Sequence, residues 1–561
     1  MISEAPTPAA LGLPEKFTDF RPAQVDALER ISRSDKKVIL LQAPTGSGKT
    51  LIMVAMGKHL DTQVLYTCHT KQLQGQVVDD FPNAVELKGR ANYFCLKGGY
   101  TCNECTSERG SSSRRLCGDC KYQFCDFKTS DKEMEKCPCS SDCPYGIQKR
   151  RAKEADLAVL NMAYFLNEAN YSGDFSGWPW VVLDEGDLTE NALMSFIEVT
   201  ITAARIEQLR IAPPKKKTVA QAWFEWAEEE AIPATQSRLK ELEDAVLAFD
   251  IKEKKELERL LAKLMFLTRQ KLENWAFIPS ESSWTFKPVF ISRYAEHNLW
   301  KHGEKFLVMS ATIISPKQFA RDLGLKQADI EFIDLPCTFP AERRPVYFAP
   351  MADITHKSKD TAWPTLVKAV DRILEEHPNV KGLIHTVSYP LARYIFENSI
   401  HKVRLLQHDS FQRISTLERF KMDNSPLVLI SPSMDRGVDL PHELCRFLVL
   451  AKIPYPNLGD QQISRRLYSA HDGPIWYAVQ TIRTIVQSTG RGMRSENDWC
   501  VSYILDEQFR RLYREYTGMF PRWWRDALTP CPPFLQKEAL GDPPPQRLRV
   551  TIKEDTDGKE N

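Results

Sequence analysis

Residues 43–50 read APTGSGKT. They fit the spacing G-x-x-x-x-G-K-[ST] with one departure, Ala43 in place of the first glycine. The segment follows an apolar run, KVILLQ at 37–42, and opens an apolar helical stretch from Lys49. A turn of this kind points consecutive amides at an anion on a helix N-terminus, where the helix dipole favours negative charge. Thr45, Gly46, Ser47, Gly48 and Lys49 would cradle phosphates. Lys49 would reach the terminal phosphates, and the Thr50 hydroxyl would ligate Mg²⁺. A second reactive group is VVLDEGD at 181–187, a buried strand ending in acids. Asp184 is suited to hold the metal through water, and Glu185 to orient or deprotonate an attacking water. QSTGRGMRS at 487–495 sets Arg491 and Arg494 three residues apart behind Gln487. On a helix they share a face, as arginine fingers reaching a γ-phosphate would.

Cysteine supplies a third chemistry. Nine of the 14 cysteines fall between 95 and 143: Cys95, Cys102, Cys105, Cys117, Cys120, Cys125, Cys137, Cys139 and Cys143. The others, Cys68, Cys337, Cys445, Cys500 and Cys531, are scattered and read as packing. The first residues, MISEAPTPAALGLPEKF, lack a basic region followed by an apolar stretch, and no run of 18 apolar residues occurs. The expectation is a chain with no membrane span in a reducing compartment, cytoplasmic or, in a eukaryote, nuclear. There, clustered cysteines bind metal more often than they form disulfides. The segment has little apolar content, so a metal would have to staple it.

These groups need elements to position them. Apolar runs recur between helical stretches: KVILLQ, QVLYT at 63–67, WVVLDE at 180–185 and KFLVMSAT at 305–312. A second set is VKGLIHT at 380–386, PLVLIS at 426–431, RFLVLAK at 446–452 and CVSYILD at 500–506. Two α/β domains in tandem, with parallel sheets, are the natural reading. Residues 203–275 break the pattern as a strongly helical insert. Net charge is +1, which neither supports nor excludes a nucleic-acid partner, because a groove needs only local charge. Basic runs at 109–115 (RGSSSRR), 148–153 (QKRRAK) and 213–218 (PPKKKT) read first as solvated loops.

The motifs in this order resemble superfamily 2 helicases. DFRPAQVDAL at 19–28 is similar to the element before the phosphate loop, which implies that Arg21 and Gln24 lie near the adenine. YTCHTKQLQGQ at 66–76 resembles a strand-contacting motif, with Thr70 and Gln74 as backbone ligands. MSATI at 309–313 resembles the Ser-Ala-Thr element that links hydrolysis to strand movement. SPSMDRGVDLP at 431–441 resembles the motif in which Gly437 and Asp439 contact nucleotide and nucleic acid. LKGRANYFC at 87–95, the segment from CPYGIQKRR at 143–151 to Leu166, and KIPYPNLGD at 452–460 narrow the likeness to XPD/DinG-type iron–sulfur helicases, in a compact form like bacterial or phage members.

That resemblance implies ATP, Mg²⁺ and a [4Fe–4S] cluster on four thiolates. Cys95 and Cys143 have the family's flanking residues and are expected as the outer ligands. Cys105 and Cys137 complete the set in one solution. In the other, CNEC at 102–105 and CGDC at 117–120 form a Zn²⁺ knuckle, and the cluster takes two of Cys125, Cys137 and Cys139. The implied architecture is two RecA-like domains: domain 1 in three pieces (1–89, 151–202, 286–335), a cysteine-rich insert at 90–150, a short helical arch-like insert at 203–285, domain 2 at 336–530, and a mostly disordered tail at 531–561. The implied activity is ATP-dependent 5′→3′ movement on single-stranded DNA with unwinding of forked duplex. A translocase that does not separate strands, and a metal-dependent nucleic-acid-binding module with weak ATPase, are the alternatives. The insert's neighbours Lys149, Arg150, Arg151 and Lys153 could hold phosphates, and Tyr145 and Tyr164 could stack bases or pack in the core. Two departures stand out: Gly186 and Asp187 replace the alanine and histidine of the family's D-E-A-H, and the helical insert is shorter than the family's arch.

Overall fold

A computed structural model describes residues 6–94, 143–244, 251–355, 357–432, 440–490, 492–493 and 498–539. The chain forms two compact units. The first comprises residues up to Cys337 together with Tyr455–Arg483, and the second holds Thr338–Pro454 and the residues from Thr484 onward. The segment 455–483 therefore packs with the first unit, although in sequence it falls inside the stretch 336–530.

The first unit contains β1 (Val38–Gln42), β2 (Val64–Cys68), β3 (Val85–Leu87), β4 (Leu157–Asn161) and β5 (Trp178–Asp184). After these come β6 (Val199–Thr202), β7 (Trp275–Pro279), β8 (Ser283–Pro288), β9 (Gly303–Ser310) and β10 (Ile330–Asp334). Seven of them make one parallel sheet in the order β10-β1-β9-β5-β2-β4-β3. Its strands β1, β2 and β5 are buried along almost their whole length because both faces are covered. In β1, Val38 and Leu40 enter one core while Ile39 and Leu41 enter the other. The helix Lys49–His59 is buried from Leu51 to Gly57.

The second unit holds β11 (Val346–Ala352), β12 (Gly382–His385), β13 (Leu405–Gln407), β14 (Val428–Ser431), β15 (Phe447–Leu450), β16 (Val501–Asp506) and β17 (Leu528–Pro530). They form a second parallel sheet, β13-β14-β12-β15-β16-β11-β17. All eight apolar runs singled out in the sequence are strands of these two sheets. The others, such as β4 and β10, escaped notice.

The helical stretch is present as Ala203–Gln208, Ala220–Trp226, Ile232–Asp244 and Ile251–Thr268. It is framed by a feature the sequence did not announce, an antiparallel sheet β6-β8-β7. Trp223 stacks on Trp284 of that sheet at 4.3 Å and fastens the helices to it. Of the tail, Leu535 is buried, and residues 540–561 lie outside the described residues. Among the described residues no helix is long and apolar enough to cross a membrane.

Candidate nucleotide and coupling site

Three adjacent strands of the first sheet, β1, β9 and β5, end level with one another. Gln42 pairs with Ser310, and Asp184 with Met309. The phosphate-type loop, the Ser-Ala-Thr segment and the paired acids follow these ends. A switch in strand order beside such ends is where open α/β sheets bind ligands.

The loop is held from below by its own strand neighbours. The Ala43 amide donates to the Ser310 carbonyl at 2.9 Å. Gly46 and Gly48 take φ of 77° and 78°, a region that suits glycine, whereas Ala43 does not. The departure at the first position is thus tolerated by ordinary backbone. A Cβ at Gly48 would lie 2.3 Å from Gln24 Nε2. Gln24, buried, donates to the Ser47 carbonyl at 2.9 Å, and Arg21 Nη1 donates to the Gly46 carbonyl at 2.8 Å. Gln24 also accepts from the Arg21 amide at 2.9 Å. Lys49 Nζ donates to the carbonyls of Ala43 (3.1 Å) and Pro44 (3.5 Å). Thr45, Gly46, Gly48, Lys49 and Thr50 are half-buried. The Ser47 hydroxyl is buried with no hydrogen-bond partner among the described residues. A curled loop of glycines at a helix start, with a spare hydroxyl and an ammonium folded over it, fits a polyphosphate.

The acids sit beside it. Asp184 accepts from the Tyr66 hydroxyl at 2.5 Å and from the Glu185 amide at 2.9 Å. Burial, then the charge of Asp184, pushes the Tyr66 phenol well up, so it stays a donor. Glu185 adopts φ 50°, an uncommon backbone state for a non-glycine residue that costs of order 1–3 kcal/mol and recurs at functional sites. Asp187, the residue in the histidine's place, accepts from the Ser310 hydroxyl at 2.6 Å. The fourth position of the acidic motif therefore still contacts the Ser-Ala-Thr segment. Ser310 in turn accepts from the Thr312 amide at 3.0 Å, and Gln42 accepts from the Ile314 amide at 2.8 Å.

Some expected residues face elsewhere. Gln74 is 1% exposed with its amide 3.5 Å from the Leu87 carbonyl, so it is not turned outward as a strand ligand. Thr70 caps the helix Lys71–Asp80 by accepting from the Leu73 amide. Lys149 is buried against Glu168 (2.7 Å) and Asp174 (2.5 Å), and Lys153 also pairs with Asp174. Those two lysines are internal ties rather than phosphate ligands. Tyr145 is buried and its hydroxyl meets that of Tyr164 at 2.6 Å, so core packing is what this pair does.

In the second unit Gln487 is half-buried on the helix Gly473–Thr489, which ends before the arginines. Gly492 is hemmed in: a Cβ there would lie 2.4 Å from Cys500 Sγ. Arg491, Arg494, Gly437 and Asp439 lie outside the described residues, as do Cys95, Cys105 and Cys137. Cys143 is described; it is half-buried and opens the helix Pro144–Glu154. Among the described residues no group of three or more His, Cys, Asp or Glu side chains could hold a metal.

Two family models match the chain: "Type III restriction enzyme, res subunit" over residues 17–135 and "Helicase C-terminal domain" over 372–527. The ATP-dependent DNA helicase XPD of Sulfolobus acidocaldarius is 21% identical across 85% of this chain and 93% of its own. A Fanconi anemia group J protein homolog from Gallus gallus is 28% identical over 122 residues, 20% of this chain and 10% of that protein. A solved XPD helicase superposes with a TM-score of 0.59 at 16% identity, over 91% of this chain and 99% of that one. The two parallel sheets and their strand-end loops are those of a superfamily 2 helicase with two RecA-like domains. Within that class the chain is similar along most of its length to the helicases named XPD and YoaA.

Proposed function

We propose that the protein is an ATP-dependent DNA helicase that moves 5′→3′ on single-stranded DNA and unwinds forked duplex. The observation that carries this reading is the level alignment of a glycine-curled loop, the pair Asp184–Glu185 and the Asp187–Ser310 contact at three neighbouring strand ends. The likeness, over 85% of this chain, to a protein named an ATP-dependent DNA helicase supports it. The 5′→3′ direction follows from the family resemblance alone.

When bound, ATP supplies the transferable phosphoryl group, and Mg²⁺ neutralises charge on its oxygens. The amides from Thr45 to Lys49 hold the phosphates and the Lys49 ammonium leaves its carbonyl partners for them. Thr50 and Asp184 would hold the metal. Glu185 orients the attacking water and takes its proton. Arg21 and Gln24 brace the loop and border the base. Gln487, Arg491 and Arg494 complete the charge around the γ-phosphate, and Gly437 and Asp439 serve nucleotide and strand. Cys95 and Cys143, with Cys105 and Cys137 or two of their neighbours, would hold a [4Fe–4S] cluster, and a Zn²⁺ on CNEC and CGDC would be the two-metal variant.

The test is single-strand-stimulated ATPase and forked-duplex unwinding by the full chain, beside Lys49→Ala. Loss of both in the variant is expected. Unchanged ATPase in Lys49→Ala would sink the reading. Turnover without strand separation would leave a translocase, and binding without turnover a nucleic-acid-binding module. Iron, sulfide and zinc analysis of anaerobically purified protein tests the metals: about four irons and no zinc rejects the two-metal variant, and zinc alone removes the cluster.

A further inference from the structure

Five buried charges that this reading leaves unused, Glu190, Asp322, Arg466, Asp472 and Arg483, are gathered in one place in the first unit. Glu190 lies on the helix Thr189–Ile197, just past the acidic motif. Its Oε2 accepts from Trp476 Nε1 at 3.3 Å and Gln480 Nε2 at 3.2 Å. Arg483, 2% exposed, donates Nε to the Thr312 carbonyl (3.2 Å) and Nη2 to the Ile313 carbonyl (3.4 Å). Trp476, Gln480 and Arg483 all belong to the helix Gly473–Thr489. Their spacing, i, i+4, i+7, puts them on one face, and Gln487 is the next residue on that face. One helix face therefore grips Glu190, three residues past the acidic motif, then the Ser-Ala-Thr backbone, and then presents the first residue of QSTGR.

The grip is charged and buried. Arg466 donates to Asp322 (2.8 Å) and Asp472 (2.9 Å), with Gln318 bridging the two acids at 2.8 and 2.7 Å. The Arg466 guanidinium also lies over the Trp476 ring at 5.3 Å. Burial, then the charge of Asp322, raises the Glu190 carboxyl to about 7, while Arg483, the indole bond and Arg466 pull it down. Apolar side chains could fill such a space at equal or better stability. What they could not do is fix the helix in rotation and along its axis against two particular segments.

We propose that Glu190 and Arg483 are positioning residues that register the helix Gly473–Thr489 against the acidic and Ser-Ala-Thr segments, so that displacement of those segments during hydrolysis is carried along the helix to Gln487. This rests on the motor reading above. It assigns neither residue to the chemical step.

The experiment uses the full chain, wild type, Glu190→Gln and Arg483→Lys. Glu190→Gln keeps the shape and an acceptor for Trp476, and Arg483→Lys keeps the charge. Two quantities are measured: single-strand-stimulated ATPase, and streptavidin displaced from biotinylated single-stranded DNA per ATP consumed. Each variant should keep ATPase within about threefold of wild type and lose about tenfold in displacement per ATP. The double variant should be no worse than the weaker single, because both act through one helix. An unchanged ratio in both variants overturns the proposal, whether ATPase is intact or falls in step with displacement. If one variant melts below assay temperature, the other is decisive alone. A wild type that hydrolyses no ATP on adding DNA fails earlier and differently: it removes the motor reading and this inference with it.

Discussion

In the first sheet β5 ends in Asp184, and in the second β16 ends in Asp506. Both close an apolar run, VVLD and YILD. Asp184 accepts one phenol and one amide, which leaves lone pairs over on a carboxylate that can take about four hydrogen bonds. Asp506 accepts three backbone amides, from Ile453 (2.9 Å), Ile354 (3.2 Å) and Gln508 (3.1 Å), and is fully buried. It braces three chain segments against each other and has no face left for a ligand. The same residue at the same place in the same fold keeps acceptor capacity in one unit, where the proposed nucleotide site lies, and is a bracket in the other. What separates them is whether the neighbouring strand ends leave the carboxylate room.

The largest effect that would break this contrast concerns chemistry. Lys49→Ala should lower ATPase by about 100-fold or more, because the ammonium opposite developing phosphate charge is lost. Its fold, read by circular dichroism and melting, should persist. Asp506→Ala should do the reverse. Three buried amides lose their acceptor, at a cost of about 3 kcal/mol or more by chemical denaturation, while turnover per folded molecule stays near wild type. If Asp506→Ala abolishes turnover in well-folded protein, the bracket assignment is wrong.

The next effect is the share of the pH dependence that arises at Asp506 in the second unit. Burial raises the Asp506 carboxyl to about 6, against the pull of its three amides. An unfolded aspartate titrates near 3.9. Between those values the native state binds the extra proton, so this group's contribution is full at acid pH and is lost as pH rises from about 4 to 6. The whole change should amount to a few kcal/mol at most, because each tenfold difference in proton affinity is worth roughly 1.4 kcal/mol. Denaturant midpoints across pH 4–7 for wild type and Asp506→Ala check it. The variant should lack that share of the slope.

Most of the fold was legible because parallel strands covered on both faces leave long apolar runs, and KVILLQ or RFLVLAK can hardly be anything else. The phosphate-type loop was legible because its glycines are needed for φ near 78°. The failures share a cause. In QKRRAK, Lys149 looked like a surface cation. Yet Tyr145, Lys149 and Ala152 form the buried i, i+4, i+7 face of their helix, and the partners that neutralise Lys149, Glu168 and Asp174, lie 19 and 25 residues on. Gln74 and Glu190 are similar: polar letters whose burial is decided by distant backbone or by a helix almost 300 residues away. Local pattern can show that a face exists, but not which charges the fold will pair inside it.

The smallest effect tests the two departures in the acidic motif. Gly186 stands where the family has alanine, and a Cβ there would lie 2.2 Å from Val308 Cγ1 on β9. Val308 is fully buried and cannot withdraw without opening the sheet's core. Glycine in the turn after β5 and valine on β9 are therefore matched in size, and the match keeps Asp187 within reach of Ser310. Gly186→Ala alone should cost about 1–2 kcal/mol by overpacking, and Val308→Ala alone should cost a similar amount by leaving a cavity. Together they should cost less than the sum by about 1 kcal/mol or more, since each change relieves the other. ATPase should follow the same cycle, because the acids ride on the turn that the clash would move. Strict additivity in both melting and turnover would mean that the turn shifts freely, and that glycine at 186 is not what seats Asp187 on Ser310.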